Sequence, residues 1–414
     1  MCKKPELKPL LNKGFLYRSE KMKNPYIKSS LGMYINYFML GMINIIIAAN
    51  MENLSERYGV TVAQISLLVT AIGIGKLIAL FFVGHLADGW GRKPVIITAN
   101  FLYLLFLVGI PTTTSYVLAF VFAISAGIAN SLLDSGTYPA LTEAFPKTAS
   151  SASVLVKASV AIGATLLPFI MAFLVANHIF WGWAFFGMGL LYLLNGIYLI
   201  FMPFPNHRLV STKGGDAIQT DFKEQPKLLG EGLAIILIGF TSTALIVVWE
   251  TWLPQLGSQL IGLESNQAVQ LLSYFSIGAL VSVLLLAIIL DKFISPIMVA
   301  IIYPIGALVS MLLLFIVESP GIVLVSTFLI GLFTSGILQL ALSIMMKLFP
   351  ENKAITSSYV NIASSLAFIL VPLIISGLVS SMGISVTLIF GIVIAIISVV
   401  LAVFVLGRIK KIFA

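Results

Sequence analysis

The sequence predicts an all-α membrane protein of twelve transmembrane helices in two six-helix pseudo-repeats, and three observations carry that prediction. The chain is 59% hydrophobic and only 10% charged, with a mean hydropathy of +1.07, whereas a soluble globular chain carries about 25% charged residues. A span needs roughly 20 consecutive apolar residues, and windows of that length recur at 31–51, 61–84, 94–111, 116–142, 150–176, 180–203, 231–254, 268–290, 294–317, 321–346, 355–379 and 384–407. None of them alternates with period two, so a membrane β-barrel is excluded.

The third observation is internal similarity. The longest polar stretch, NHRLVSTKGGDAIQTDFKEQPKLLG from Asn206 to Gly230, is rich in charge and turn formers and reads as a linker between spans six and seven. Across it, AFPKTASSASVLVKASVAIGATLLPFI from Ala144 resembles LFPENKAITSSYVNIASSLAFILVPLI from Leu348, and Pro146 to Pro168 has the spacing of Pro350 to Pro372. The expected organisation is therefore a basic tail over 1–30, a six-helix bundle over 31–203, a linker over 204–230, a second bundle over 231–407 and a short tail over 408–414.

Orientation follows from the basic residues. Residues 1–30 carry Lys3, Lys4, Lys8, Lys13, Arg18, Lys21, Lys23 and Lys28 with no apolar core before Leu31, so this is not a secretory signal. Placing that tail in the cytoplasm also puts Arg92, Lys93, Lys147, Arg208, Lys213, Lys223, Lys227, Lys292, Lys347, Lys353, Arg408, Lys410 and Lys411 there, and only Arg57 outside. By the positive-inside rule both termini are expected to be cytoplasmic. The net charge of +8 then faces anionic lipid headgroups, and no nucleic-acid partner is needed to explain it. The single cysteine, Cys2, excludes an intramolecular disulfide framework.

Between spans two and three lies GHLADGWGRKP. Glycine permits tight turns and close helix approach, Asp88 can cap a helix N-terminus, and Arg92 can pair with it. Gly84, Asp88, Gly91, Arg92 and Lys93 match the G-x-x-x-D-x-x-G-R-K loop of the major facilitator superfamily, and the chain resembles that superfamily over its whole length. In the second half the corresponding loop is reduced to Asp291 and Lys292. The resemblance implies the superfamily fold, a monomer, alternating access, and a loop that latches the two halves in one access state. More finely, KNPYIKSSLGMYINYFMLGM, AIGIGKLIAL and NSLLDSGTYPALTEAFP resemble a group of bacterial inner-membrane transport proteins, some of which are similar to aromatic acid/proton symporters. A carboxylate substrate and a plasma-membrane location follow from that likeness.

Four charges remain inside spans: Lys76, Asp134, Lys157 and Glu250. Each costs at least ~2.5–3.5 kcal/mol at the membrane centre and is a functional candidate by default. Lys76, Asp134 and Lys157 all lie about eight residues, roughly 12 Å, from the cytoplasmic ends of their spans. Asp134 either binds a proton or is a permanently ionised partner of Lys157. The run carrying it is expected to break at Tyr138-Pro139. Glu250 is placed near the outer end of span seven, either as a second proton site or as an interfacial carboxylate beside belt residues Trp249 and Trp252. Two lysines sharing one carboxylate leave a cationic cavity, which favours an anionic substrate.

The resemblance implies that spans one, four, seven and ten line the cavity. Candidate substrate contacts are therefore Tyr37, Asn44, Lys76, Asn130, Lys157, Trp249, Gln339 and Asn361, with Asp134 and Glu250 as proton-coupling candidates. Uncharged polar residues of this kind also serve as interhelical glue. Other signals fail. GIGK at Gly73–Lys76 lacks the first glycine and the Ser/Thr of a phosphate-binding loop. His85, His178 and His207 are isolated, so neither a metal site nor a catalytic pair is expected, and no cofactor. A secondary transporter importing a small polar solute with protons is the leading expectation. A multidrug/proton antiporter is the alternative, although span four lacks the arginine and span five the glycine-proline run of efflux members. A sugar/proton symporter stays open through the Asn, Gln, Tyr and Trp side chains. A membrane-embedded enzyme lacks any nucleophile and base constellation.

Overall fold

The computed structural model describes residues 24–146, 148–205, 222–290, 293–316, 320–350 and 353–413, with side chains at all of these except 88, 150, 315, 316, 320, 353 and 354. Cys2, the tail basic residues before Asn24, Lys147, Arg208, Lys213, His207, Asp291 and Lys292 lie outside the described residues. Fifteen helices follow in chain order: α1 (Ile27–Ala49), α2 (Met51–Tyr58), α3 (Val62–Leu80), α4 (Val83–Gly89), α5 (Arg92–Thr112), α6 (Tyr116–Ala144), α7 (Ala149–Ala176), α8 (Trp183–Phe201), α9 (Leu233–Gln259), α10 (Ser265–Ile289), α11 (Pro296–Ile316), α12 (Pro320–Thr334), α13 (Ile337–Leu348), α14 (Lys353–Met382) and α15 (Val386–Phe413). Among the described residues, twelve helical segments are long and apolar enough to cross a membrane. Each expected window corresponds to one of them.

Four differences in extent matter. Span one begins at Ile27 and is followed by a separate amphipathic helix, α2, which Gly59 closes in the left-handed conformation at φ 64. Span seven runs through Pro254 to Gln259, five residues beyond the window end at 254. Span ten is two helices, because Gly336 takes φ 91 and interrupts the ladder; the Ser335 carbonyl at the break accepts the Ser282 hydroxyl at 3.1 Å. The expected C-terminal tail instead continues α15 to Phe413. There Arg408 binds Glu224 at 2.8 Å and Glu231 at 3.1 Å, docking the chain that leads into span seven. The Arg408 hydrogen bond holds the half-buried Glu224 carboxyl below its ordinary value, so this pairing persists down to the ordinary carboxylate range and is lost only at lower pH.

Nor does α6 break at Tyr138-Pro139; it continues to Ala144 with Pro139 inside. Proline removes one rung, and packing of a membrane helix by its neighbours holds the remainder. α3 starts on a capping box between Thr61 and Gln64, which satisfies orphan amides at its N-terminus.

The two halves pack alike. In the first, α3 crosses α6, and a Cβ at Gly75 would lie 2.1 Å from the Ile124 carbonyl and one at Gly127 2.0 Å from that of Ile72. In the second, α10 crosses α12 through Gly278 and Gly331, where a Cβ would meet the Phe328 and Phe275 carbonyls at 2.0 Å each. Small residues let membrane helices approach to backbone contact. The α1–α7 crossing is equally close, with Gly41 against the Val160 carbonyl and Gly163 against that of Phe38. Within the first bundle, Tyr192 donates to the Asn36 carbonyl at 2.9 Å, Asn195 to the Asn36 side chain at 2.7 Å, and Tyr103 stacks on Tyr192.

Between halves, α3 packs on α14, α7 on α10 and α1 on α9. Their hydrogen bonds lie toward the end of the bundle away from the termini. Ser376 donates to the Ala63 carbonyl at 2.7 Å, Thr70 to that of Ile369 at 3.1 Å, Ser273 to that of Thr165 at 2.8 Å, and Ser265 to the Glu52 carboxylate at 2.7 Å. A cavity of about 420 Å³ beside this last bond is lined by residues of both halves, including Glu52, Pro168, Gln255 and Ser258. On the terminal side of these seams, Gln339, Met346, Lys347, Tyr359 and Asn361 are exposed. Among the described residues the hydrogen bonds between the halves thus lie toward one end, and these side chains at the other end are exposed.

The glycine crossings make a direct prediction. Gly75→Ala and Gly278→Ala each force a seam apart, and each is expected to destabilise the protein by about 1–3 kcal/mol, read as a lower Tm in detergent. Gly377→Ala, where a Cβ meets nothing within 4 Å, leaves Tm unchanged.

Candidate substrate and proton site

Asp134 sits in the middle of α6, one turn before Tyr138, so both face the same way. Tyr37 of α1 donates its hydroxyl to Asp134 Oδ1 at 2.5 Å and meets the Tyr138 ring edge-on at 5.9 Å between centroids. Tyr138 in turn interacts with Lys157 of α7, on which the charges of Asp134 and Glu250 also act. Lys76 of α3 lies in the field of Asp134, Glu250 and Lys157, with its backbone carbonyl accepting the Ser131 hydroxyl at 3.2 Å. Its ammonium stands 3.8 Å over the centroid of the Phe368 ring, which belongs to α14 in the other half.

The four charges are therefore neighbours, three from the first half and one from the second. Among the described residues none of them is in an ion pair within 4.0 Å. Asp134 is held by the Tyr37 phenol, and of the two readings left open for it the contact pair with Lys157 is not formed here. All four are half-buried. Fully ionised, two lysines and two carboxylates sum to zero.

Glu250 is deeper than the sequence reading placed it. Because α9 extends to Gln259, nine further residues separate Glu250 from the helix end, roughly 14 Å at helical rise. Trp249 and Trp252 are not belt residues either: they are 0% and 1% exposed, and their indole N–H groups have no partner among the described residues. Trp249 lies against Gly391 of α15, inside its own bundle, so it is removed from the substrate candidates.

The other candidates divide. Asn130 is buried toward Tyr103, on the interior of the first bundle. Asn44 is half-buried, and Gln339 and Asn361 are exposed on the terminal side; none of these three makes a hydrogen bond among the described residues. Tyr138 and Phe368 were not singled out as partners. Tyr138 is one helical turn from Asp134 and legible from spacing; Phe368 is 292 residues from Lys76 along the chain and no local pattern points to it.

At the loop between spans two and three, Gly91 takes φ 93, a conformation that favours glycine. Arg92 reaches the Ala87 carbonyl at 3.0 Å and the Glu143 carboxylate of α6 at 3.3 Å. Lys93 donates to the Ile200 and Met202 carbonyls at 2.6 and 3.0 Å, closing the end of α8. These contacts stay within the first half. The Asp88 side chain lies outside the described residues, and a Cβ at Gly84 would meet nothing within 4 Å, so close approach does not demand glycine there in this state. Glu143, one residue past the window that ends at 142, has a side chain only 8% exposed. Glu143→Gln is expected to lower Tm, since breaking a buried charge pair typically costs about 3–5 kcal/mol, whereas Glu56→Gln at an exposed position leaves it unchanged.

Comparison with known proteins agrees with this architecture. The Major Facilitator Superfamily model matches residues 32–354 and 271–411. The chain is 43% identical over 390 residues to the uncharacterized MFS-type transporter YfkL of Bacillus subtilis, covering 94% of this chain and 98% of that one. It is 32% identical to the inner membrane transport protein YdiN of Escherichia coli, covering 96% and 94%. Among solved structures, a D-xylose-proton symporter superposes with a TM-score of 0.73 at 17% identity, over 92% of this chain and 97% of that one. A partially occluded inward-open form of the xylose transporter XylE from Escherichia coli gives 0.72 at 15%, over 93% and 98%. These two show the shared fold.

Proposed function

This chain is a membrane transporter of the major facilitator superfamily, and we propose that it imports a small organic or aromatic carboxylate together with a proton. The observation that supports the reading is the charge count of the central site. With Lys76, Lys157, Asp134 and Glu250 all ionised the site is neutral. Protonating either carboxylate leaves one net positive charge at the site, and one carboxylate substrate returns the sum to zero. Uncompensated charge at this depth is costly, so proton and anion favour each other's binding, and by linkage each raises the other's affinity by the same factor.

Basic residues on the terminal side favour a cytoplasmic location for that end, and the names of relatives such as YdiN support the inner membrane as location. The exposed side chains at that end support an inward-open reading of this state, with a gap between the halves there. Protonation and substrate binding occur from outside, the halves rock about the central site, and release follows through the gap now facing the cytoplasm. Asp134 is positioned by Tyr37, and Glu250 stands across the divide between halves, so its distance from the two lysines changes as they rock. No cofactor takes part, and the expected working unit is a monomer.

The test is reconstitution in liposomes loaded with a pH-sensitive dye. Shikimate, quinate and benzoate are added in turn, with D-xylose and a lipophilic cation as contrasts. A carboxylate is expected to draw protons inward, Asp134→Asn or Glu250→Gln to abolish proton movement, and Lys76→Gln to abolish carboxylate uptake. Protons moving outward in exchange for the lipophilic cation alone would make the protein an exporter and overturn the reading.

A second measurement addresses positioning. Tyr37→Phe removes only the hydroxyl that meets Asp134, and hydrogen bonds to a charged group are worth about 1.5–3 kcal/mol. Proton-coupled uptake is expected to fall roughly 10-fold or more, with protein yield and Tm little changed.

A further inference from the structure

We propose that Phe368 is a specificity-determining residue: its ring holds the Lys76 ammonium without neutralising it, so that the substrate's carboxylate becomes the lysine's counter-ion. The inference rests on the anionic-substrate reading above and assigns the device that makes it work. A lysine this far into the bundle needs stabilisation. A carboxylate in contact would supply it but would also cancel the charge and occupy the donors. The Lys76 ammonium instead stands 3.8 Å above the Phe368 centroid, and no carboxylate comes within 4.0 Å of it among the described residues. An aromatic face attracts a cation through its quadrupole while leaving the charge in place. The ammonium's three donors stay available to an acceptor arriving from the gap.

The position of the contact strengthens the point. Phe368 is fixed by the α3–α14 seam: a Cβ at Gly73 would lie 2.8 Å from the Phe368 carbonyl carbon, and Thr70 bonds the carbonyl of its neighbour Ile369. The backbone that carries the ring is therefore held at the seam between the halves. It belongs to the half opposite Lys76. The lysine's most intimate partner is thus one that leaves when the halves part, and a bound carboxylate takes over as partner through the transition.

The test has one arm that needs no substrate. In purified protein, Lys76→Met and Phe368→Leu are combined in a double-mutant cycle on Tm. Coupled residues give a double variant whose Tm falls by less than the sum of the two single shifts; strict additivity overturns the proposal. In the second arm, liposome uptake of shikimate, quinate and benzoate is compared with that of D-xylose. Phe368→Leu is expected to raise KM for the carboxylate that is carried by roughly 3- to 30-fold with little change in the maximal rate, and Phe368→Tyr or Phe368→Trp to restore it. A carboxylate KM unchanged in Phe368→Leu overturns the role of Phe368 while the anionic reading stands. Uptake of D-xylose with no carboxylate uptake, indifferent to Lys76→Gln, overturns both.

Discussion

Everything about this molecule is constrained by four formal charges that must be carried inside a bilayer. Each is expensive alone, and the structure carries them without pressing them into pairs. Asp134 rests on the Tyr37 hydroxyl, Lys157 on Tyr138 and Lys76 on the Phe368 ring. Every one of these supports is aromatic. Phenol and ring faces supply electrostatic stabilisation of a few kcal/mol at most, weaker than a contact ion pair and easier to exchange. A tightly paired quartet would be a structural staple; a loosely supported one can accept further ions.

The helical framework explains how such an arrangement is held. Glycine seams bring α3 to α6 and α10 to α12 into backbone contact, so each half is tightly packed within itself, while buried apolar residues of the two halves share one continuous core. The repeat is geometric, not chemical. Asn361 occupies the repeat position of Lys157, and three of the four charges belong to the first half. The second half contributes Glu250 and Phe368, both aimed across the divide. In the proposed rocking, movement of one half against the other would shift Glu250 and Phe368 relative to Lys76, Asp134 and Lys157, while Tyr37 and Tyr138 stay with the first half. Span ten adds a discontinuity at Gly336, the kind of interruption that transport proteins place beside their binding sites.

The fold was almost wholly legible in the sequence, because membrane crossing imposes length and hydropathy that no tertiary contact overrides. Where the reading failed, it failed at helix ends and at prolines. Pro254 and Gln255 ended the seventh window early, and that error alone lifted Glu250 out of the central group. Tyr138-Pro139 read as a break, but a helix packed by neighbours in lipid tolerates the missing rung. Trp249 and Trp252 read as interface anchors because tryptophan prefers that depth; the extended α9 carries them into the bundle instead. Lys76, Asp134 and Lys157 could be placed at one depth from residue counting. That Phe368 is the ring under Lys76 could not, since it depends on how two halves meet.

The zero sum of the central charges has an electrical corollary. A carrier whose four charges cancel presents no net charge to the transmembrane field when empty, and one proton with one monovalent carboxylate adds none when loaded. Under the proposed stoichiometry the membrane voltage, worth about 2.3 kcal/mol per elementary charge per 100 mV, performs no net work in either half of the cycle. Accumulation would then be set by the proton concentration ratio alone, so a depolarised cell that keeps its pH difference would still concentrate the solute.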